Sequence, residues 1–291
     1  ENEAGCNNSL VGKIYEFDEE DLIILKQIYI KENGSSIYYL IMHAPSLHIF
    51  VMKKTYVKYC QPTNVNENEK KFCMNYSHRC FTPFYGFVKT KDENITIYIY
   101  EFLCNGSLLD YIYDKKNNFD QLKLYTIIIR IIEGIHFLHS NSLIHRDLKP
   151  DNILFDHNGN CYINDFETIR EIKTDKSNSI DSDFTNNIGS DIYQSPEQYS
   201  GKNVSFQTDI FSLGQDIYAI FEKKDPINLY NYFDKEEHIK NPIFPEMKNM
   251  SSRIQELYLG CVKYKQEERT NLSQIYRFFK EETNLFSILN E

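Results

Sequence analysis

The pattern of apolar residues along the chain changes character close to residue 105. Before that point, short runs rich in Ile, Tyr and Val alternate with turn residues, which is typical of β-strands. The pattern predicts strands at 22–29, 36–43, 47–53 and 95–102, and a helix at 67–76. Residues 1–20 are polar, so we expect them to form no more than a frayed flank or a short cap.

After residue 105 the spacing of the apolar residues becomes helical. Ser107 can cap a short helix at 107–113, and residues 120–139 have the pattern of a long helix. The apolar face expected for the long helix consists of Leu122, Tyr125, Ile128, Ile129, Ile132, Ile135 and Leu138.

Beyond the long helix, the pattern predicts a hairpin from 153–155 and 162–164, then a mobile polar loop at 173–188, then further helices. The sequence therefore predicts an α+β fold. A small β-rich lobe with one major helix occupies 21–103, and a larger, mainly helical lobe occupies 104–291. Together they form one domain at 21–285, preceded by the flank at 1–20.

Composition narrows the class of protein. The chain has 291 residues, with 41% hydrophobic and 25% charged residues, which is ordinary for a globular domain. A formal net charge of −10 argues against a general nucleic-acid binder. No apolar run approaches the ~18 residues of a membrane span. The seven cysteines have no zinc-binding spacing, so we expect reduced thiols and a cytoplasmic location.

Residues 145–152, which read His-Arg-Asp-Leu-Lys-Pro-Asp-Asn, carry side chains suited to phosphoryl transfer. Asp147 can position an acceptor hydroxyl and accept its proton. Lys149 can neutralise the charge that builds on the transferred group. Asn152 offers a neutral oxygen that suits Mg²⁺. A solvated loop that holds this set by chance is the alternative, and a match of this length argues against it.

The same stretch resembles the catalytic loop of eukaryotic-type protein kinases. The resemblance implies a two-lobed protein kinase fold, with Asp147 as the catalytic base and Asn152 as a metal ligand. Lys149 resembles the residue of serine/threonine kinases, and dual specificity stays open. Residues 165–167 read Asp-Phe-Glu where the family has Asp-Phe-Gly. Asp165 would therefore bind the Mg²⁺, or Mn²⁺, that accompanies the ATP phosphates.

Three further segments resemble scaffold motifs of that family. Residues 195–197 read Ser-Pro-Glu, residues 209–214 read Asp-Ile-Phe-Ser-Leu-Gly, and an arginine stands at 269. The resemblance implies a buried salt bridge between Glu197 and Arg269. It also implies that Asp209 braces the backbone of the catalytic loop.

The β-rich lobe supplies the residues expected to bind the nucleotide. Residues 50–54 resemble the strand that carries the lysine for the ATP phosphates. We assign Lys53, with Lys54 as the alternate. Adjacent side chains of a strand point to opposite faces, so only one of the two lysines can point inward. The family offset from residues 78–83 assigns Glu69 as the partner of this lysine, with Glu67 as the fallback.

The resemblance also assigns the adenine site. The backbone of Glu101 and Leu103 would hydrogen-bond adenine, Tyr100 would be the gatekeeper, and Leu154 would lie beneath the ring. Tyr38 and Val51 would cover the ring from above.

Two departures from the family pattern concern nucleotide binding. The loop positions that are usually glycine are Lys31, Asn33 and Ser36, although Lys31 can itself contact a phosphate. Glu167 replaces the glycine of Asp-Phe-Gly, where its charge can either repel phosphate or add a metal ligand.

Two functions therefore compete. The first is a serine/threonine kinase that transfers phosphate from ATP to a protein substrate. The second is a pseudokinase that acts as a binding switch, and a small-molecule kinase is a distant third. A weaker resemblance points to kinases of translation initiation factor 2 alpha. Thr185 is the expected regulatory phosphosite, while the sequence leaves the oligomeric state open.

Overall fold

The computed structural model describes residues 13–31, 34–56, 65–114, 119–172, 192–201, 203–226 and 244–289. Asn33, Thr185 and the loop predicted at 173–188 lie outside these ranges. The chain divides into two compact units, Glu1–Cys104 and Asn105–Glu291. The first unit is rich in strands and the second is mainly helical.

The first unit is built on a six-stranded sheet with the order β1-β5-β6-β4-β3-β2. Its strands are β1 (Tyr15–Phe17), β2 (Leu22–Ile30), β3 (Ser36–His43), β4 (His48–Tyr56), β5 (Phe84–Val88) and β6 (Ile95–Glu101). The helix α1 (Val65–Asn75) lies between β4 and β5 in the chain. All neighbouring strands are antiparallel except β1 and β5. The four predicted strands and the predicted helix are confirmed, with ends that differ by a few residues.

The strand β1 corrects the expectation that residues 1–20 are frayed. Tyr15–Phe17 pairs in parallel with β5, and Phe17 is buried. The Phe17 ring packs edge-on against Phe50, with centroids 5.9 Å apart. The sequence pattern did not predict this strand, because Tyr15 and Phe17 are surrounded by polar residues and a strand pattern is sought over at least four residues. The sequence also missed β5, because its aromatic residues surround a glycine.

Alternation along β4 separates the core of the first unit from its chemistry. Phe50 and Met52 belong to the hydrophobic core, together with Phe17, Ile41, Tyr85, Val88, Ile97 and Ile99. Lys53 occupies the opposite face of the strand and is also buried. The position of Lys53 is therefore fixed by the packing of the opposite face of β4 against the hydrophobic core.

The second unit is organised around two buried helices. Its elements are α2 (Leu108–Tyr113), α3 (Gln121–Ser140), β7 (Leu143–Ile144), β8 (Ile153–Phe155), β9 (Cys161–Ile163), β10 (Arg170–Glu171), α4 (Pro196–Ser200), α5 (Phe206–Glu222), α6 (Ser252–Cys261) and α7 (Leu272–Leu289). Ser107 and Asp120 cap α2 and α3. The strands β8 and β9 form a short hairpin, and β7 pairs with β10 in a separate two-stranded sheet.

The helix α3 is buried more widely than its predicted face. Leu124, Ile127 and Ile131 are buried as well, whereas Leu122 is only half-buried. This wide burial has a direct cause, because α5 and α7 both pack on α3. Across the described ranges, no helix has both the length and the apolar content that a membrane crossing needs.

Gly86 tests the attachment of β1. A Cβ atom on this residue would lie 1.9 Å from the carbonyl oxygen of Tyr15, so Gly86→Ala must expel β1 and expose Phe17. We expect the free energy of unfolding to fall by about 3–5 kcal/mol, the range for removal of a buried aromatic side chain from a core. Chemical denaturation measures this change.

Gly34→Ala is the matched control for this substitution. Gly34 also has a positive φ, of +67°, but no described atom would lie within 4 Å of an added Cβ. It should cost only about 1 kcal/mol for the backbone conformation. Equal losses in the two variants would contradict the role of Gly86.

Candidate active site

Asp209, in the first turn of α5, organises the loop at 145–152. Its two carboxylate oxygens accept hydrogen bonds of 3.0 Å from the backbone N–H groups of His145 and Arg146. His139, near the end of α3, places Nε2 2.9 Å from Asp209 Oδ2. The predicted bracing of the catalytic loop by Asp209 is therefore confirmed.

The environment of Asp209 favours its charged form. Burial alone would raise the pKa of this carboxyl. The hydrogen bond and charge of His139, together with the Arg146 backbone donor, instead bring the pKa below its ordinary value. A fully buried carboxylate is stable here because every contact described above is a donor.

Asp147 is held by two neighbours on one of its oxygens. Lys149 Nζ lies 3.0 Å from Oδ2, and Asn152 Nδ2 donates to the same oxygen at 2.9 Å. Asn152 Nδ2 also donates to the backbone carbonyl of Asp147. Among the described residues no group donates to Asp147 Oδ1. This carboxylate therefore has a fixed orientation and an oxygen that can accept a proton.

Lys149 remains an ammonium in this position. Burial acts to lower the pKa of Lys149, but the charge and hydrogen bond of Asp147 raise it above its ordinary value. The loop thus presents one carboxylate and one cation side by side, and the cation does not lose its proton at neutral pH.

The two expected metal ligands lie on either side of the β8–β9 hairpin. The N–H group of Asn164, beside Asp165, donates to the carbonyl of Asn152 at 2.8 Å. Asp165 adopts φ +60° and Arg146 adopts φ +73°, an uncommon conformation for residues other than glycine. Strained residues of this kind cluster at functional sites.

The donor chemistry of this pair fits Mg²⁺. With Nδ2 committed to Asp147, Asn152 turns its carbonyl oxygen away from that residue, and Asp165 adds a carboxylate. Within the described ranges, no group of three or more His, Cys, Asp or Glu side chains could hold a metal alone. A divalent ion held by few protein oxygens and completed by phosphates is typical of Mg²⁺ at nucleotide sites.

Glu167 does not distort the backbone of its segment. It is buried, and its φ is negative, so this conformation does not require glycine at the position. The adjacent Thr168 donates to the carbonyl of His145 at 2.7 Å. Arg170 donates to the carbonyls of Glu167 and Ile169. The segment is therefore tied to the catalytic loop.

The predicted scaffold salt bridge is present. Arg269 forms a bidentate pair with Glu197, with N–O distances of 2.7 and 2.8 Å, and both residues are buried. Thr208 Oγ1 donates to the same carboxylate. Bidentate arginine pairs impose a defined geometry, so this contact links α4 to the segment before α7.

In the first unit, the structure pairs Lys53 with Glu69. Lys53 Nζ lies 2.7 and 2.8 Å from the two carboxylate oxygens of Glu69, and each residue is only 1% exposed. Lys54 lies on the other face, near the ring of Tyr56, and Glu67 is exposed. Both preferences of the sequence analysis therefore match the geometry, while a contact of Lys53 with nucleotide stays a prediction.

The other residues assigned to nucleotide have identifiable surroundings. The Tyr38 ring centroid is 5.7 Å from Lys53 Nζ, and Val51 pairs with Tyr100 across β4 and β6. The Lys31 carbonyl accepts a hydrogen bond from the Gly34 N–H at 2.7 Å.

The adenine-site residues are also positioned by backbone contacts. Glu101 N–H donates to the Pro83 carbonyl at 2.9 Å. Leu103 is buried, and Leu154 is half-buried and pairs with Tyr162. The contacts of these residues with adenine stay predictions.

A family model described as protein kinase domain matches residues 32–278. The chain belongs to the protein kinase domain family. The strand-rich first unit and the helical second unit are the two lobes of that fold. ATP as the substrate and a divalent metal ion are properties of the family as a whole.

Known kinases share about 30% identity with this kinase domain. It is 34% identical to cysteine-rich receptor-like protein kinase 24 of Arabidopsis thaliana over 56% of the chain and 26% of that protein. The MAP kinase kinase MKK1/SSP32 of Saccharomyces cerevisiae is 32% identical over 54% of the chain and 30% of that protein. Serine/threonine-protein kinase ksg1 of Schizosaccharomyces pombe is 29% identical over 77% of the chain and 38% of that protein. The chain therefore spans between about a quarter and two fifths of the length of these relatives.

Sequence reasoning missed three groups that support the kinase site. His139 contacts Asp209, Gln198 Nε2 donates to the Arg146 carbonyl at 2.7 Å, and the Tyr100 hydroxyl donates to Glu69. Histidine is also common near the C-terminus of a helix because of the helix dipole, so the position of His139 in the sequence does not indicate a contact with Asp209. The spacing of these residues along the chain does not reveal their contacts.

Asp209→Asn tests the bracing of the catalytic loop. One amide oxygen cannot replace two carboxylate oxygens, so we expect the free energy of unfolding at pH 7 to fall by about 3 kcal/mol. Because the folded-state pKa of Asp209 is lowered, its stabilisation is present above the unfolded value of about 4 and is lost as pH falls through the folded pKa. The difference between parent and variant should therefore narrow in acid.

Denaturation at a series of pH values measures this difference. Asp120→Asn is the control, since asparagine also caps helices and should change stability little. A gap between parent and Asp209→Asn that stays constant from pH 7 to the lowest pH at which both remain folded would contradict a stabilising ionised Asp209.

Proposed function

We propose that this domain is a serine/threonine protein kinase that transfers the γ-phosphoryl group of ATP to a hydroxyl of a protein substrate. The observation that carries the proposal is Asp147, which Lys149 and Asn152 hold by one carboxylate oxygen. The other oxygen is then the acceptor for a proton. A carboxylate fixed in this way is what the acceptor side of phosphoryl transfer needs.

The side chains of the second unit are assigned to the transfer of the phosphoryl group to the acceptor hydroxyl. The acceptor oxygen forms a bond to the γ-phosphorus, and its proton passes to Asp147 Oδ1. The bond between the γ-phosphorus and the bridging oxygen breaks, and the electron pair leaves with ADP. Lys149 offsets charge on the group in transit. Asn152 and Asp165 would hold Mg²⁺, or Mn²⁺, which neutralises phosphate charge when bound.

Most of the residues assigned to the nucleotide belong to the first unit. Lys53, oriented by Glu69, would contact the phosphates, and Lys31 would add a second cation. Glu101 and Leu103 would bind adenine through the backbone, and Leu154 would lie beneath the ring. Tyr38 and Val51, together with Asn33 outside the described residues, complete the proposed nucleotide contacts.

Specificity for serine and threonine is supported by Lys149 and by the names of relatives. One of them, ksg1, is a serine/threonine-protein kinase. A cytoplasmic location, Thr185 as a regulatory site and the weaker resemblance to kinases of translation initiation factor 2 alpha stay predictions. The protein substrate is identified here only by its hydroxyl group.

A pseudokinase is the second candidate, and the loop before β3 favours it. Lys31 and Ser36 stand at positions where the family has glycine, and Ser36 Oγ is 2.9 Å from Thr55 Oγ1. Glu167 adds a buried negative residue beside Asp165. These features would weaken binding of phosphate, so nucleotide binding is the step on which the two candidates differ.

Asp147→Asn tests the kinase proposal. The amide cannot accept the proton, so transfer of labelled phosphate from ATP with Mg²⁺ or Mn²⁺ should fall at least about 100-fold. The assay uses the domain itself and a generic protein acceptor. Phosphoamino-acid analysis of the product should yield phosphoserine or phosphothreonine.

Asp151→Asn is the matched control, because Asp151 is an exposed carboxylate of the same loop. It should retain most of the transfer. Equal transfer by the parent and Asp147→Asn would contradict the kinase proposal. If neither protein transfers phosphate and ATP still raises the melting temperature, the pseudokinase is supported instead.

A further inference from the structure

Tyr100 connects the sheet of the first unit to the carboxylate that holds Lys53. It lies on β6 and is buried, and its hydroxyl donates to Glu69 Oε1 at 2.8 Å. The same carboxylate accepts from Lys53 through both of its oxygens. The Glu69 carboxylate therefore binds both the Lys53 ammonium and the Tyr100 hydroxyl.

Cys73 extends this contact along α1. Its sulfur lies 3.4 Å from the Tyr100 oxygen. Tyr100 has one proton, and a carboxylate can only accept, so the phenol proton is donated to Glu69 and the thiol of Cys73 donates to the phenol oxygen. Burial raises the pKa of the Cys73 thiol and of the Tyr100 phenol, so both groups keep their protons.

Tyr100 contacts two successive turns of α1. Glu69 and Cys73 are four residues apart on α1, so they lie on the same face one turn apart. Tyr100 and Lys53 are fixed relative to one another, because β6 and β4 are hydrogen-bonded neighbours. The phenol thus joins the helix to the strand pair at the level of the ion pair.

We propose that Tyr100 is a positioning residue. It holds α1 at a fixed position relative to β4, so that Glu69 keeps the Lys53 ammonium in one orientation. The inference rests on the proposed role of Lys53 toward ATP. A tyrosine that only filled the core would contribute the packing of its ring, and its hydroxyl would not affect Glu69. Tyr100→Phe separates the two roles because it removes the hydroxyl and keeps the ring.

The first measurement does not depend on activity. The native parent and Tyr100→Phe are treated with iodoacetamide, and the rate of alkylation of each cysteine is measured by peptide mass spectrometry. Cys73 should react at least about fivefold faster in the variant, because the hydroxyl's hydrogen bonds to Glu69 and Cys73 are both lost and the loss of one such bond accounts for a factor of about five. Cys80 in the same unit and Cys261 in the other are also buried, and their rates should not change.

Tyr258→Phe is the matched control. Its hydroxyl donates to Gln215 Oε1 at 3.3 Å in the second unit, so this variant also loses a buried phenol hydrogen bond. It should leave the rate at Cys73 at the parent value. An equal rise at Cys73, Cys80 and Cys261 in Tyr100→Phe, or no rise at Cys73, would overturn the positioning role.

The second measurement is the kinetics of transfer. Tyr100→Phe should raise the KM for ATP about fivefold and change kcat less, whereas Tyr258→Phe should change neither. Faster alkylation of Cys73 with an unchanged KM would overturn the link to Lys53. A parent without transfer activity would overturn the proposed function, and a selective rise at Cys73 would still support the hold of Tyr100 on α1.

Discussion

A buried carboxylate must be surrounded by hydrogen-bond donors, and the machinery of both units depends on meeting that constraint. In the second unit Asp209 collects two backbone N–H groups and His139, and this fixes the loop that carries Asp147. In the first unit Glu69 collects Lys53 and Tyr100, and this fixes the lysine. In each case the buried carboxylate contacts the segment or side chain that is proposed to bind the substrate. The hydrogen bonds that compensate for burial of the carboxylate also fix the orientation of that group.

Local motifs in the sequence predicted the groups whose partners are specified by a pattern. The loop at 145–152, Lys53, and the pair Glu197–Arg269 all follow from motifs or from the alternation of a strand. The contacts of His139 and Tyr100 could not be predicted in this way, because no motif specifies a hydrogen-bond partner for either side chain. The strand β1 was missed for a different reason. Its stability comes from Phe17 packing on Phe50 and from a glycine in β5, and neither is visible in three residues of sequence.

The departures from the family pattern become more specific in the structure. Glu167 has a negative φ, so its consequence is the presence of a carboxylate near Asp165 and not a forbidden backbone conformation. Before β3, Gly34 has a positive φ and its N–H donates to the Lys31 carbonyl. The neighbouring positions carry side chains where the family relies on bare backbone. The side chains proposed for transfer have defined contacts, and the affinity for nucleotide is the quantity that distinguishes the two candidate functions.

The most direct test of this account is calorimetric titration of ATP with Mg²⁺ into Lys53→Met and Lys54→Met. These adjacent lysines lie on opposite faces of β4, and only Lys53 is paired with Glu69. The account predicts that Lys53→Met weakens binding of ATP at least about tenfold, the effect of losing roughly 1.4 kcal/mol of contact with the phosphates. Lys54→Met should bind ATP as the parent does. Equal affinities for all three proteins, or a loss confined to Lys54→Met, would contradict the account.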